Sequence, residues 1–256
     1  MEIKTLQFFG EYEKVIGFQI PGLIKNFIFE EGFLALRQSN KSAAVYSLNI
    51  TGSKAELTEF LKYEVNKNGV EPTKDITATE DLYYAYEYAC ANDLNEKNFI
   101  NCHKLLAKHL LPEDKLGLFR VDDKTITTPE GRHYVTPEAK IIPQTVKVFF
   151  KDIEDLLRQE LAPSKVFYHA SLIHLKLLHI HPFADGNYTL ARLLEKWFVG
   201  QKLGKKFWQI PSEKYYFKNK KDYFYYSFPG ESYDEASYEN CVLFSSMLAK
   251  SLSQNL

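Results

Sequence analysis

Between residues 179 and 192 the chain reads HIHPFADGNYTLAR, and from His181 onward it offers a base, a carboxylate, a tight turn and a cation in that order. His181 follows a buried-looking helix, and Pro182 forces an immediate turn. A histidine held there can face a loop mouth and act as a general base near its ordinary pKa of ~6.5. Phe183 reads as an anchor that packs the loop onto the core. Asp185 supplies an oxygen ligand suited to Mg²⁺, a cation that keeps several waters and shares phosphate oxygens. Gly186 permits a backbone conformation that a side chain would block. Asn187 reads as the cap of the next helix, its amide aimed at an anion, and the free N–H groups of that helix's first turn complete an anion hole. Arg192, deeper in the helix, carries a fork able to hold a terminal phosphate. Tyr188 and Thr189 are not the residues such a phosphate loop calls for.

Each part alone has an ordinary reading. An Asp-Gly-Asn is a turn, and a His-Pro is a helix end. His179 and His181 form an HxH pair, but a metal site needs further ligands, and His169 and His174 upstream lie on faces that need not converge. The ordered string is far more specific than its parts.

The elements that must position this segment are mostly helical. Apolar spacing predicts helices near 41–49, 55–66, 81–91, 97–111, 144–160, 165–180, 187–200 and 237–252. In the 165–180 helix Val166, Ala170, Ile173, Leu177 and Ile180 form a seam at spacings of four and three. His103, on the apolar side of the 97–111 helix, reads as a packing residue. Two β-prone runs within 117–135, about a Pro- and Gly-containing middle, predict a hairpin. The first 37 residues suit short strands or helices equally. The fold class expected is mainly α with one small β-hairpin, in three segments: 1–95, a core at 96–200, and 201–256 packed on that core.

Composition narrows the partners. A formal net charge of -1 gives no reason to expect nucleic acid. The lysines at 218, 220 and 221 read as a solvated face, and the tyrosines and phenylalanines of 214–228 as core packing rather than base stacking. Cys90, Cys102 and Cys241 are far apart, without metal-ligand spacing, and suit a reducing compartment. No apolar run approaches the ~20 residues of a membrane span. The expectation is a soluble cytoplasmic protein without membrane or nucleic-acid partners.

The 181–192 segment resembles the signature HxFx(D/E)GNGRxxR of Fic domains, and LGLFRVDDKTITT with GRHYVTPEAKIIP resembles the family's flap and the loop after it. The block at 39–88 is similar to the N-terminal region of Fic proteins that carry their own inhibitory helix. The resemblance implies a protein that moves AMP from ATP, with Mg²⁺, onto a hydroxyl of a target protein, the target adding a strand at the 117–135 flap. It implies His181 as the base, Asp185 as the Mg²⁺ ligand, Asn187 as a phosphate contact and Arg192 as the γ-phosphate arginine. Homodimers are common among such proteins, and no surface legible in the sequence identifies one here.

Three departures stand out. Tyr188 replaces a signature glycine and crowds the anion hole. Thr189 replaces the first signature arginine, and loss of one charge-assisted hydrogen bond of ~1.5–3 kcal/mol implies transfer slower by roughly 10- to 100-fold. The inhibitory motif (S/T)xxxE(G/N) aligns with Ser47, Thr51 and Gly52, so Thr51 stands where the inhibitory glutamate would be and is expected to face Arg192 at hydrogen-bonding or water-bridged distance. Two readings follow: a transferase of weakened or altered activity, with ATP or another nucleoside triphosphate as donor, or an inactive relative that binds a nucleotide or a protein. An HxH metallohydrolase is a third and lacks ligands.

Overall fold

A computed structural model describes residues 3–67, 69, 71–128, 131–236 and 238–253. The tip of the expected flap at 129–130 and Ser237, where the last helix is expected to begin, lie outside the described residues. In chain order the elements are α1 (Phe9–Val15), α2 (Ile20–Asn26), α3 (Phe33–Ile50), α4 (Leu57–Val65), α5 (Lys74–Ala91), α6 (Glu96–Leu106), β1 (Thr125–Thr127), β2 (His133–Val135), α7 (Ile142–Arg158), α8 (Pro163–Ile180), α9 (Asn187–Leu203), α10 (Ser212–Lys218), α11 (Lys220–Ser227) and α12 (Val242–Lys250). The fold is mainly helical with one two-stranded antiparallel sheet, as the sequence implies.

The centre of the molecule is α8. It is buried on every face from Val166 to Ile180, so the apolar seam understates it: α9 covers one side, and α1, α2, α7 and α12 take the others. Its buried histidines are accommodated by partners. His169 Nδ1 donates to the Ile3 carbonyl at 2.8 Å, and His179 Nε2 to that of Ser227 at 2.6 Å. α9 runs back along α8 and is buried from Thr189 to Gly200. These two helices and the turn between them form the platform on which the 181–187 loop rests.

Some elements are longer or shorter than their apolar spacing suggests. α3 starts eight residues before 41 because its polar face has partners: Arg37 Nε donates to the Tyr83 hydroxyl and Asn40 to Glu87, both on α5. α5 starts at Lys74, capped by Thr73, whose hydroxyl accepts the Ile76 N–H. α6 stops at Leu106, with tight turns following it. The opening 37 residues contain helices and, among those described, no strand.

The hairpin pairs Thr125 with Val135, Ile126 with Tyr134 and Thr127 with His133. Ile126 and Tyr134 point inward while Thr125, Thr127, His133 and Val135 are exposed, the alternation that a two-residue period dictates. The outer edge of β2 is occupied by the chain itself. The Val135 N–H donates to the Glu231 carbonyl, and the Tyr233 N–H donates to the Val135 carbonyl, both at 2.9 Å.

Candidate active site

α8 ends at His181, which adopts a left-handed conformation with φ 49° and ψ 59°. Among the described residues it is the one non-glycine with positive φ. Such a backbone is uncommon outside glycine and asparagine, and it persists where neighbours hold it. Here the His181 N–H donates to the Leu177 carbonyl at 2.9 Å, and its own carbonyl accepts Arg120 Nε at 2.8 Å. Arg120 is buried and also donates to the carbonyls of Asp122 and Pro137 and to the Thr136 hydroxyl. One guanidinium thereby ties the turn after α8 to both ends of the hairpin.

The His181 imidazole is only 5% exposed, and no sound hydrogen bond reaches its Nδ1. Burial pushes its pKa down to about 3, with the nearby cations Lys124 and Arg120 adding to the effect and the Leu178 carbonyl opposing it weakly. The expected near-neutral base is corrected accordingly: His181 is a fixed neutral imidazole across the physiological range.

The next residues are clamped from both sides. Phe183 is fully buried, stacked flat on His103 with ring centroids 3.7 Å apart. The Gly117 N–H donates to His103 Nδ1, so Nε2 carries the proton and donates to the Asp185 carbonyl at 3.1 Å. His103 is thus a satisfied packing residue, and it also fixes the loop's path. The Arg120 N–H donates to the Pro182 carbonyl. Gly186 has φ 80°, which favours glycine, and a Cβ there would also press on the Leu106 methyl at 2.8 Å and require that side chain to shift.

Asn187 is placed differently from expectation. It does not cap α9, whose N-cap is Gly186 with no side-chain cap. Its Oδ1 accepts the Phe183 N–H at 3.0 Å, and its Nδ2 donates to the Phe183 carbonyl at 2.9 Å. The amide is a strut across the loop rather than a hand held toward an anion. The Thr189 hydroxyl donates to the Gly186 carbonyl at 2.8 Å. The Tyr188 ring lies edge-on to His181 at 6.1 Å and packs against Phe224 and Phe228. This is where the late aromatic run goes: Tyr216, Tyr223, Phe224 and Phe228 are buried core residues.

Asp185 alone of this set is exposed. Its Oδ1 accepts the Gly186 N–H at 2.7 Å, and its second oxygen has no protein partner among the described residues. One carboxylate with an open side fits a Mg²⁺ that arrives with a nucleotide and keeps most of its waters. It does not fit a resident metal centre, and among the described residues no group of three His, Cys, Asp or Glu side chains converges.

Arg192 has no solvent exposure, and its guanidinium is held by protein. Nε donates to Ser47 Oγ at 2.8 Å, Nη2 to the Ser47 carbonyl at 2.8 Å, and Nη1 to the Tyr223 hydroxyl at 3.0 Å. Tyr223 in turn stands 3.0 Å from His174 Nε2, and His174 Nδ1 lies 3.2 Å from Glu195. Tyr223 accepts from Arg192 and shares a hydrogen bond with His174 Nε2, while His174 Nδ1 makes no sound hydrogen bond. On the other side Ser47 lies within hydrogen-bond reach of Tyr86, which donates to Glu213, the partner of Lys196. Four cavities of about 230 to 730 Å³ open elsewhere, and none is lined by a residue of the 181–192 segment.

The family model for the Fic/DOC family matches residues 93–199, the stretch that carries α6, the hairpin, α7, α8, the loop and α9. The matched stretch, residues 93–199, is a Fic/DOC-type domain within the chain. Similar solved structures extend beyond it. A Fic family protein from Desulfovibrio desulfuricans G20 is 19% identical with a TM-score of 0.76, over 94% of this chain and 73% of that one. A Fic domain containing signaling protein from Bacteroides thetaiotaomicron is 18% identical with a TM-score of 0.67, over 94% of each chain. Fic-1 from C. elegans is 19% identical with a TM-score of 0.65, over 96% of this chain and 71% of that one. At these identities the likeness concerns the fold. No curated protein matches the chain.

α3 packs against α9, and its contact with Arg192 differs from the one expected of Thr51. Thr51 does not face Arg192. It is the exposed C-cap of α3, its hydroxyl donating to the Leu48 carbonyl at 3.0 Å, and Gly52 follows it in the left-handed region. Ser47, one helical turn earlier and buried, makes the contact instead. The reason is geometric: a serine oxygen must come close where a glutamate would reach from a distance. Thr51→Glu is therefore expected to change stability by no more than about 0.5 kcal/mol and to leave any transfer activity unaltered. A transfer assay showing strong suppression in this variant would count against that placement.

The sequence did not single out Arg120, Lys124 or Tyr223. Arg120 and Lys124 lie in the hairpin segment some sixty residues before the loop, and Tyr223 was one aromatic among many. A polar tip at a buried helical position is the signal that marks Tyr223.

The buried histidines also set an acid limit. Burial lowers the pKa of His103 to about 4 and that of His179, like His181, to about 3. The unfolded chain takes up protons at these sites below ~6.5 while the folded chain does not, so stability falls as pH drops from there toward 3 to 4. At pH 5 the loss relative to pH 8 is about 2 kcal/mol per histidine, read as a falling urea midpoint. A midpoint constant between pH 7 and pH 5 would contradict this.

Proposed function

We propose that this chain is a Fic-type nucleotidyltransferase whose site is held closed in the conformation described, transferring a nucleoside monophosphate from a nucleoside triphosphate to a hydroxyl of a target protein. The observation that supports it best is His181. A buried ring nitrogen without a sound partner costs about 1–3 kcal/mol, and His181 combines that cost with a left-handed backbone. A group kept under such conditions beside an exposed carboxylate is explained by a role in proton transfer.

In this reading the neutral imidazole accepts the proton of the target hydroxyl as its oxygen bonds to the α-phosphorus and the bond to pyrophosphate breaks. His181 needs no deprotonation beforehand, because its surroundings keep it neutral. Asp185 would hold a Mg²⁺ brought by the nucleotide, which would neutralise phosphate charge. The target would add at the free edge of β1, since chain residues 231–233 already occupy that of β2. Three cysteines without disulfides suit the reducing, nucleotide-rich cytoplasm.

Arg192 supports a second reading, an inactive binding module, because its donors already have protein partners. The test is an adduct assay. The folded protein is incubated with Mg²⁺ and labelled ATP, GTP, CTP or UTP in the presence of cell-lysate proteins. Slow labelling that requires His181 is expected, and absence of adduct with all four nucleotides would leave the binding module.

A further inference from the structure

A triphosphate at the 181–187 loop needs a cation, and the cations near that loop can be sorted by how they are already used. Arg192 is fully buried and bonded to Ser47 and Tyr223. Arg120 is buried and bonded to three carbonyls and a hydroxyl. Thr189 carries no charge, and its hydroxyl faces the Gly186 carbonyl. Lys124 differs from these. It is half-buried, and its Nζ donates to the Ala184 carbonyl at 2.5 Å, next to Asp185 and the start of α9. An ammonium has three N–H bonds, so two are left to donate to another acceptor beside the loop.

Its position is built rather than accidental. The Lys124 carbonyl accepts both the Thr136 N–H, at 3.2 Å, and the Thr136 hydroxyl, at 2.6 Å. Thr136 is itself held by Arg120, whose Nε also holds the His181 carbonyl. The guanidinium that fixes the base therefore fixes, through one threonine, the backbone from which the ammonium projects. Lys124 is also close enough to His181 to act on it electrostatically.

Resting on the transferase reading above, we propose that Lys124, reaching across from the hairpin, is the cation that contacts the polyphosphate of the donor nucleotide in this chain, with Arg120 and Thr136 as its positioning residues. Lys124 takes up from the opposite wall the charge that α9 does not supply at Thr189.

The test measures binding of MgATP and of inorganic triphosphate to the full chain by calorimetry, together with adduct formation. Lys124→Gln is expected to weaken both ligands at least about tenfold, the effect of one lost charge-assisted hydrogen bond. Lys124→Arg should remain within a few-fold of the parent, and Lys140→Gln, which removes an exposed lysine elsewhere, should change nothing. Melting temperatures without ligand show that each variant is folded. Unchanged affinity in Lys124→Gln, or no triphosphate binding by the parent chain, overturns the proposal. If Lys124→Gln binds normally while His181-dependent adduct persists, Lys124 is excluded and the transferase reading stands. If affinity falls tenfold and no nucleotide gives adduct, the phosphate contact stands and the transferase reading fails.

Discussion

Replacing His181 with alanine is expected to reduce adduct formation by a factor of about 10² to 10⁴, the contribution of a positioned general base. The two neighbouring buried histidines cannot take its place. His103 donates its Nε2 proton to the loop and is stacked under Phe183, and His179 is turned away toward Ser227. The pH profile is the more discriminating measurement. An ordinary histidine would lose half its basic form near ~6.5, whereas His181, at about 3, stays neutral far below that. Initial transfer rates on protein shown to be folded are therefore expected to form a plateau from pH 8 down to about 5.5. An inflection near 6.5 would mean that the imidazole is solvated during turnover and that the closed geometry does not describe the working state.

The second large effect concerns stability. Arg192→Met is expected to destabilise the chain by about 3–5 kcal/mol, because it removes three buried hydrogen bonds at once and leaves their acceptors unsatisfied, each costing about 1–3 kcal/mol. Arg192 is held by Ser47 and Tyr223, while Lys196 pairs with Glu213, and all of these side chains are buried or nearly so. Removing the guanidinium strands the Ser47 hydroxyl and carbonyl and the Tyr223 hydroxyl in the core. Tyr223→Phe removes the hydroxyl that meets both Arg192 and His174 and is expected to cost about 1–3 kcal/mol. Urea denaturation measures both. A loss below about 1 kcal/mol in Arg192→Met would show that the guanidinium is not integrated into the core, and nucleotide access to it would then be unobstructed.

Much of this site is legible in the sequence because it is local. His181, Pro182, Phe183, Asp185 and Gly186 are consecutive or nearly so, and their types dictate a turn between two helices. The α8 seam and the hairpin are equally local, set by periods of 3.6 and 2. Legibility ends where a partner comes from far along the chain. That Asn187 bonds to Phe183 rather than facing solvent depends on the loop's exact path. That Ser47 rather than Thr51 meets Arg192 depends on one turn of phase between two helices, which no single sequence reveals. Lys124 and Arg120 are ordinary basic residues until the hairpin folds over the loop.

The contact between Ser47 and Arg192 joins residues 145 positions apart. Chain closure over that span is slow to find and is rewarded only after most of the molecule has assembled. During synthesis α3 leaves the ribosome well before α9 exists, so its buried serine must wait for its arginine. The family-matching stretch begins at residue 93, yet its buried Arg192 is capped by Ser47, which precedes that stretch by 46 positions. The clasp is thus expected to close late in folding, with the N-terminal helices completing the burial of Arg192.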